Sequence, residues 1–193
     1  QLEQLLGMGM EEGMASAMGQ IDEVLADLAS FAAGSGTQHR ILSDTQVRVS
    51  RLIRGTVEQV WRAHHDPELV QQWMLGPDGW TMPVCEVAGE IGATYRYEWE
   101  PGDASTNGEP GRFGFEGELL ESDPPHRAVT TERIIGVEGP GTTNEMTLTS
   151  RDDGTLLSLV ITYPSAEVRD MILDTGMVNG METSYARLDA ALA

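Results

Sequence analysis

The sequence predicts an α+β protein, a curved antiparallel sheet of about seven strands around a long C-terminal helix, with one extra helix at the N-terminus. Three observations carry that expectation. Apolar residues recur every three or four positions before Ser30 and again after Ser165, the spacing of an amphipathic helix. Between residues 45 and 163 the period falls to two in a series of short segments. Gly, Pro and Asp clusters of hairpin length separate those segments, so successive strands should run antiparallel.

In chain order, residues 1–30 place Leu6, Met10, Met14, Met18, Ile21 and Leu25 along one helical stripe. Residues 31–44, with Gly34-Ser35-Gly36, read as a linker. Val47 and Val49 mark a strand over 45–53, and Gly55-Thr56 supplies a turn and a helix N-cap. Val57, Val60, Trp61 and His64 then share a helix face, and Asp66-Pro67-Glu68 starts a second short helix carrying Leu69, Val70 and Trp73. After the Gly76-Pro77-Asp78-Gly79 turn come strands over 81–88, 93–100, 112–121, 128–135, 144–150 and 156–163. Ser165 caps one helix running to about Leu192, roughly 28 residues and about 42 Å long. Only this helix can cover the apolar face of the sheet, so residues 45–193 should form one domain.

A shift of 167 positions places Leu6, Gly9, Met10, Gly13, Met14, Asp22, Leu25 and Ala26 on Leu173, Gly176, Met177, Gly180, Met181, Asp189, Leu192 and Ala193. Both segments keep GMxxGM, and Gly inside a helix costs about 1 kcal/mol against Ala, so a close backbone approach is expected there. Residues 1–30 therefore read as the remnant of the last helix of an upstream copy of the domain. With its own sheet already covered, that helix is expected to pair with its equivalent in a second chain.

Charge and composition narrow the function. Twelve Arg and no Lys oppose 31 acidic residues, a formal net charge of −19. Such a field repels phosphate backbones and anionic headgroups, so neither nucleic acid nor membrane is an expected partner. Without Lys, Schiff-base and P-loop chemistry are excluded. The single Cys85 excludes an intramolecular disulfide and a CxxC metal site. No apolar run of about 20 residues and no signal-like start appear, so the expected location is the cytoplasm.

The segments Val60-Trp61-Arg62-Ala63, Asp66-Pro67-Glu68-Leu69, Gln72-Trp73, Glu90-Ile91-Gly92-Ala93, Glu118-Leu119-Leu120-Glu121 with Asp123-Pro124-Pro125, Met146-Thr147-Leu148-Thr149, Gly154-Thr155-Leu156-Leu157 and Tyr185-Ala186-Arg187-Leu188-Asp189 occur in series. Together they resemble the bacterial branch of the family named for activators of the Hsp90 ATPase, a division of the START-like or Bet v 1-like superfamily. The resemblance covers about residues 45–193. It implies a helix-grip fold with a cavity between sheet and C-terminal helix, used by different members for lipids, hormones or polyketides. Fold alone does not choose the ligand.

Alternation puts Tyr95, Tyr97 and Trp99 on one strand face and Phe113 and Phe115 on one face of the next, an expected ligand wall. Met171, Met177, Met181 and Tyr185 are expected opposite them, and Trp73 and Trp80 complete the lining. The cavity should hold a few hundred Å³. Arg96, Glu98, Glu116 and Glu118 alternate outward and should pair there. His64 and His65 diverge on their helix and cannot share a metal, His39 and His126 read as exposed, and Cys85 reads as a small buried hydrophobe. No metal, cofactor or catalytic constellation is expected. The leading expectation is a non-enzymatic binder of an apolar, aromatic or polyketide-like molecule. A polyketide cyclase or aromatase, a self-sacrificing resistance protein against a reactive natural product and a co-chaperone module stand as alternatives.

Overall fold

The computed structural model describes residues 36–102 and 111–192, so the helix expected over 1–30, with its repeat and its pairing, lies outside the described residues. Eight strands and four helices follow in the order β1 (Gln38–Ile41), β2 (Gln46–Ile53), α1 (Val57–His65), α2 (Pro67–Trp73), β3 (Trp80–Glu86), β4 (Thr94–Pro101), β5 (Phe113–Asp123), β6 (Arg127–Ile134), β7 (Thr142–Arg151), β8 (Gly154–Thr162), α3 (Ala166–Asp174) and α4 (Met177–Leu192). All strands pair antiparallel in one sheet ordered β1-β2-β8-β7-β6-β5-β4-β3. The class is the expected one, with eight strands rather than about seven. The added strand is β1, inside the stretch expected as linker. It forms because the chain turns back at Leu42–Asp44 and pairs Ile41 with Val47 and Gln38 with Ser50.

The local starts follow the sequence. Thr56 Oγ1 accepts from the Gln59 amide at 3.3 Å while Gln59 Oε1 accepts from the Thr56 amide at 2.8 Å, a capping box that opens α1. Asp66 Oδ1 accepts from the Glu68 amide at 3.1 Å with Pro67 at the first helical position of α2. Ser165 Oγ accepts from the Val168 amide at 3.3 Å and opens α3.

The C-terminal helix is not continuous. Gly176 takes φ +80, its amide donates to the Leu173 carbonyl at 3.1 Å, and Thr175 Oγ1 donates to the Ile172 carbonyl at 2.6 Å. Left-handed backbone suits Gly alone, and here it ends α3 and starts α4. The close approach expected at the glycines of GMxxGM is therefore corrected: a Cβ on Gly180 would meet nothing within 4 Å, and Gly176 serves the break.

The helices cover the inner face of the sheet. Val57, Val60, Trp73, Tyr185 and Leu188 pack on Ile53, Leu148 and Leu157, while Val168, Ile172, Leu173 and Met177 pack on Val47, Val49 and Ile161. Arg51, also on that face, reaches α4 from beneath. Its Nε lies 3.0 Å from Glu182 Oε2 and its Nη2 2.9 Å from Asp189 Oδ2, and its side chain is 14% exposed. Sheet curvature has local sources in register shifts at Thr81/Val84 in β3 and Leu119/Glu121 in β5. At Gly117 a Cβ would collide with the Thr131 carbonyl, so only Gly lets β5 close on β6 there. No described helix is long and apolar enough to cross a membrane.

Candidate functional site

The aromatic wall forms as the alternation requires. Register pairs Trp99 with Phe113 and Tyr97 with Phe115, and it sets Tyr95 opposite Gly117, where the missing side chain leaves room for its ring. Ring centroids lie 5.2 Å apart for Trp99 and Phe113, 5.4 Å for Trp80 and Phe113, 5.7 Å for Trp99 and Phe115, and 5.1 Å for Tyr95 and Tyr97. Tyr97 in turn meets Trp99 edge-on at 6.3 Å, so six rings, stacked, tilted or edge-on, form one connected surface. Trp99 is anchored by Nε1 donating to the Met74 carbonyl at 2.6 Å. Phe113, at the start of β5, stays 38% exposed, as does Ile134 at the end of β6.

The other lining candidates divide. Met177 and Met181 lie against the sheet, Met181 between two apolar clusters. Met171 does not: it is 59% exposed, because Val168 and Ile172 occupy the sheet-facing side of α3. Trp73 and Tyr185 stack on each other, centroids 5.9 Å apart, inside the core under α1 and α2 rather than on the ring wall. Trp73 Nε1 donates to the Ala63 carbonyl at 2.9 Å. His64 joins them, 4.8 Å from the Trp73 ring, with Nδ1 2.8 Å from the Val60 carbonyl and a buried Nε2 that has no partner. Burial pushes its pKa down to about 4, so it is neutral at pH 7.

Between the clusters lies a set of inner-face residues that remain half-buried. Tyr97, Met146, Leu159 and Met181 each touch two clusters at once yet keep accessible surface. Among them the sheet places a carboxylate that the sequence reading missed. Glu132 shares a face of β6 with Ala128, Thr130 and Ile134 and sits opposite Thr142 of β7. Tyr95 Oη donates to the Thr131 carbonyl at 2.8 Å and lies 3.3 Å from Glu132 Oε2. Asn144, whose Oδ1 accepts from Thr142 at 3.0 Å, adds a hydrogen bond that favours the carboxylate. Burial outweighs both and holds the Glu132 carboxyl above the usual range. The available signal was parity: in Ala128-Val129-Thr130-Thr131-Glu132-Arg133-Ile134, Glu132 falls on the face of buried Ala128.

The remaining candidates are structural. Arg96 pairs with Glu98 at 2.7 Å and Glu116 at 2.8 Å, and Arg112 pairs with Glu98, on the outer face as expected. Burial pushes the Cys85 thiol up to about 11, so it stays protonated beside the Pro67 carbonyl. Among the described residues no group of three His, Cys, Asp or Glu could hold a metal ion.

A curved antiparallel sheet whose inner face carries rings and Met beneath a C-terminal helix layer defines a helix-grip protein. The chain belongs to the family of activator of Hsp90 ATPase homolog 1-like proteins, whose model matches residues 54–193. Among solved structures it is similar to a Rhodobacter sphaeroides protein at 27% identity and TM-score 0.73, over 81% of this chain and 97% of that one. A Mycobacterium smegmatis protein shares 23% identity with TM-score 0.69, over 81% and 95%. DynU16, a protein of the dynemicin biosynthetic locus, shares 25% identity with TM-score 0.51, over 78% of this chain and 48% of that one. No curated protein matches the sequence.

Proposed function

We propose that the protein binds and sequesters an apolar aromatic small molecule in a recess between the inner sheet face and the C-terminal helices, without turning it over. One observation carries the reading. Tyr97, Met146, Leu159 and Met181 bridge apolar clusters but stay half-buried, which is the signature of residues that border a recess rather than fill a core. Rings fix a flat molecule by stacking, and Met adapts to irregular edges. The family fold commonly serves apolar ligands, and the likeness to DynU16 favours natural products among them. The test is a titration with the neutral fluorophore N-phenyl-1-naphthylamine. Saturable enhancement is expected, and Tyr97→Ala should weaken it about three- to tenfold while the far-UV spectrum stays unchanged. No saturable enhancement, or enhancement indifferent to Tyr97→Ala, refutes the reading. Native mass spectrometry of protein purified from its own source would weigh the natural occupant.

A further inference from the structure

Glu132 lies on the inner sheet face and lacks the guanidinium partner that other packed acids among the described residues have. It projects from the inner face of β6 two residues before Ile134 of the Phe115–Ile134 pair, with Tyr95 beside it and Asn144 on the next strand. Two tyrosines more lie close enough to feel its charge, Tyr97 on β4 and Tyr163 after β8. Every one of these neighbours is neutral. Elsewhere the described acids that turn toward packed surface meet a guanidinium: Glu182 and Asp189 meet Arg51, Glu98 meets Arg96 and Arg112, Glu116 meets Arg96 and Arg133, and Glu145 meets Arg127. Among the described residues, no ion pair joins Glu132.

A carboxylate taken from water without a counter-ion is costly, and one placed among rings and neutral donors either takes up a proton or gains from a cation that arrives with what binds there. The surroundings suit such a cation twice over. Ring faces of Tyr97 and Phe115 attract positive charge as well as flat surface. The chain's net charge of −19 raises the local concentration of cations and repels anions. Resting on the recess proposed above, we infer that Glu132 is its anionic subsite and that the molecule bound is a flat aromatic ring system, apolar over its surface but carrying a single positive charge.

The inference carries a pH dependence. Tyr95 from β4 and Asn144 from β7 hydrogen-bond Glu132, its charge also acts on Tyr97 of β4 and Tyr163 after β8, and none of the four becomes cationic. Burial raises the Glu132 carboxyl, so a permanently charged ligand should bind more tightly as pH rises through its titration and the carboxylate forms.

The full chain is titrated by fluorescence with 10-methylacridinium, a permanent cation, and with acridine at pH 8, where it is neutral. N-phenyl-1-naphthylamine serves as the control for the recess. The wild type should bind the cation about tenfold more tightly than acridine, Glu132→Gln should abolish that margin, and cation affinity should fall from pH 8 to pH 5. Thermal melts check that Glu132→Gln, close in shape, still folds. Equal affinities in the wild type, a margin that survives Glu132→Gln, or tighter binding of the neutral ring overturns the assignment while leaving the recess in place. Failure of all three probes to bind the wild type removes the recess and this inference together.

Discussion

Replacing His64 by Leu should flatten the acid side of the stability curve. The ring lies among Val60, Trp73 and Tyr185, and the 2.8 Å contact with the Val60 carbonyl places the proton on Nδ1, leaving Nε2 without a donor. Its pKa falls from 6.5 to about 4, chiefly through burial, with the Val60 hydrogen bond opposing and His65 adding a small repulsion. A lowered folded-state pKa means that the unfolded chain binds the extra proton first. The stability is therefore fully present above 6.5 and is lost as pH falls toward 4. The whole difference corresponds to about 3 kcal/mol, with little relief from solvent because the group is enclosed. Urea unfolding from pH 8 to pH 4.5 measures it: wild type should lose about 2–3 kcal/mol relative to His64→Leu across that range. At pH 8 the variant should equal or exceed the wild type, because an unpaired buried nitrogen costs about 1–3 kcal/mol. Parallel curves over the range would refute the burial argument.

Arg51→Ala should lower stability by about 2–3 kcal/mol and the melting temperature by about 5–10 °C, since it strands two partly buried carboxylates, Glu182 being the more solvated. Its hydrogen bonds from Thr37 and Arg51 outweigh burial and hold the Glu182 carboxyl below the usual range. The deficit should therefore shrink as pH falls below the carboxylate range; an unchanged deficit at pH 3.5 would contradict it. Gly117→Ala should cost about 3 kcal/mol or more by forcing β5 away from Thr131, and a melt matching the wild type would show that the strands separate freely there. For the self-association proposed for residues 1–30, light scattering of the intact chain should give about twice the 21.0 kDa chain mass, and a single-chain mass would end that proposal.

Legibility in the sequence followed the range of the interactions. Thr56, Asp66 and Ser165 act on amides two or three residues away, so helix starts could be read directly. The ring wall was legible because period-two spacing fixes faces. β1 escaped because Gln38–Ile41 has little apolar pattern of its own and gains its geometry from β2. The break at Thr175-Gly176 escaped because apolar spacing continues across it from Leu173 to Met177, and a glycine that stops a helix looks in sequence like one that packs within it. Glu132 escaped because a lone acid in a strand ordinarily faces water. Its place beneath the helices depends on the parity of Ala128 and Ile134, which only the register of three strands makes decisive.

The hinge-like glycine at 176 also separates two quantities that a continuous helix would tie together. α4 is held by buried Tyr185 and Leu188 and by the Arg51 contacts, whereas α3 has no fully buried residue and rests through Val168, Ile172 and Leu173 on Val47, Val49 and Ile161. Because Gly176 ends one helix and starts the next, loss of the α3 contacts, Arg169 to the Ser43 and Asp44 carbonyls among them, need not unwind α4. Entry to the recess proposed above would then be timed by a partial opening, and the lifetime of the folded state by the stronger segment. On the binding reading proposed above, such a protein would exchange its molecule quickly and still unfold slowly.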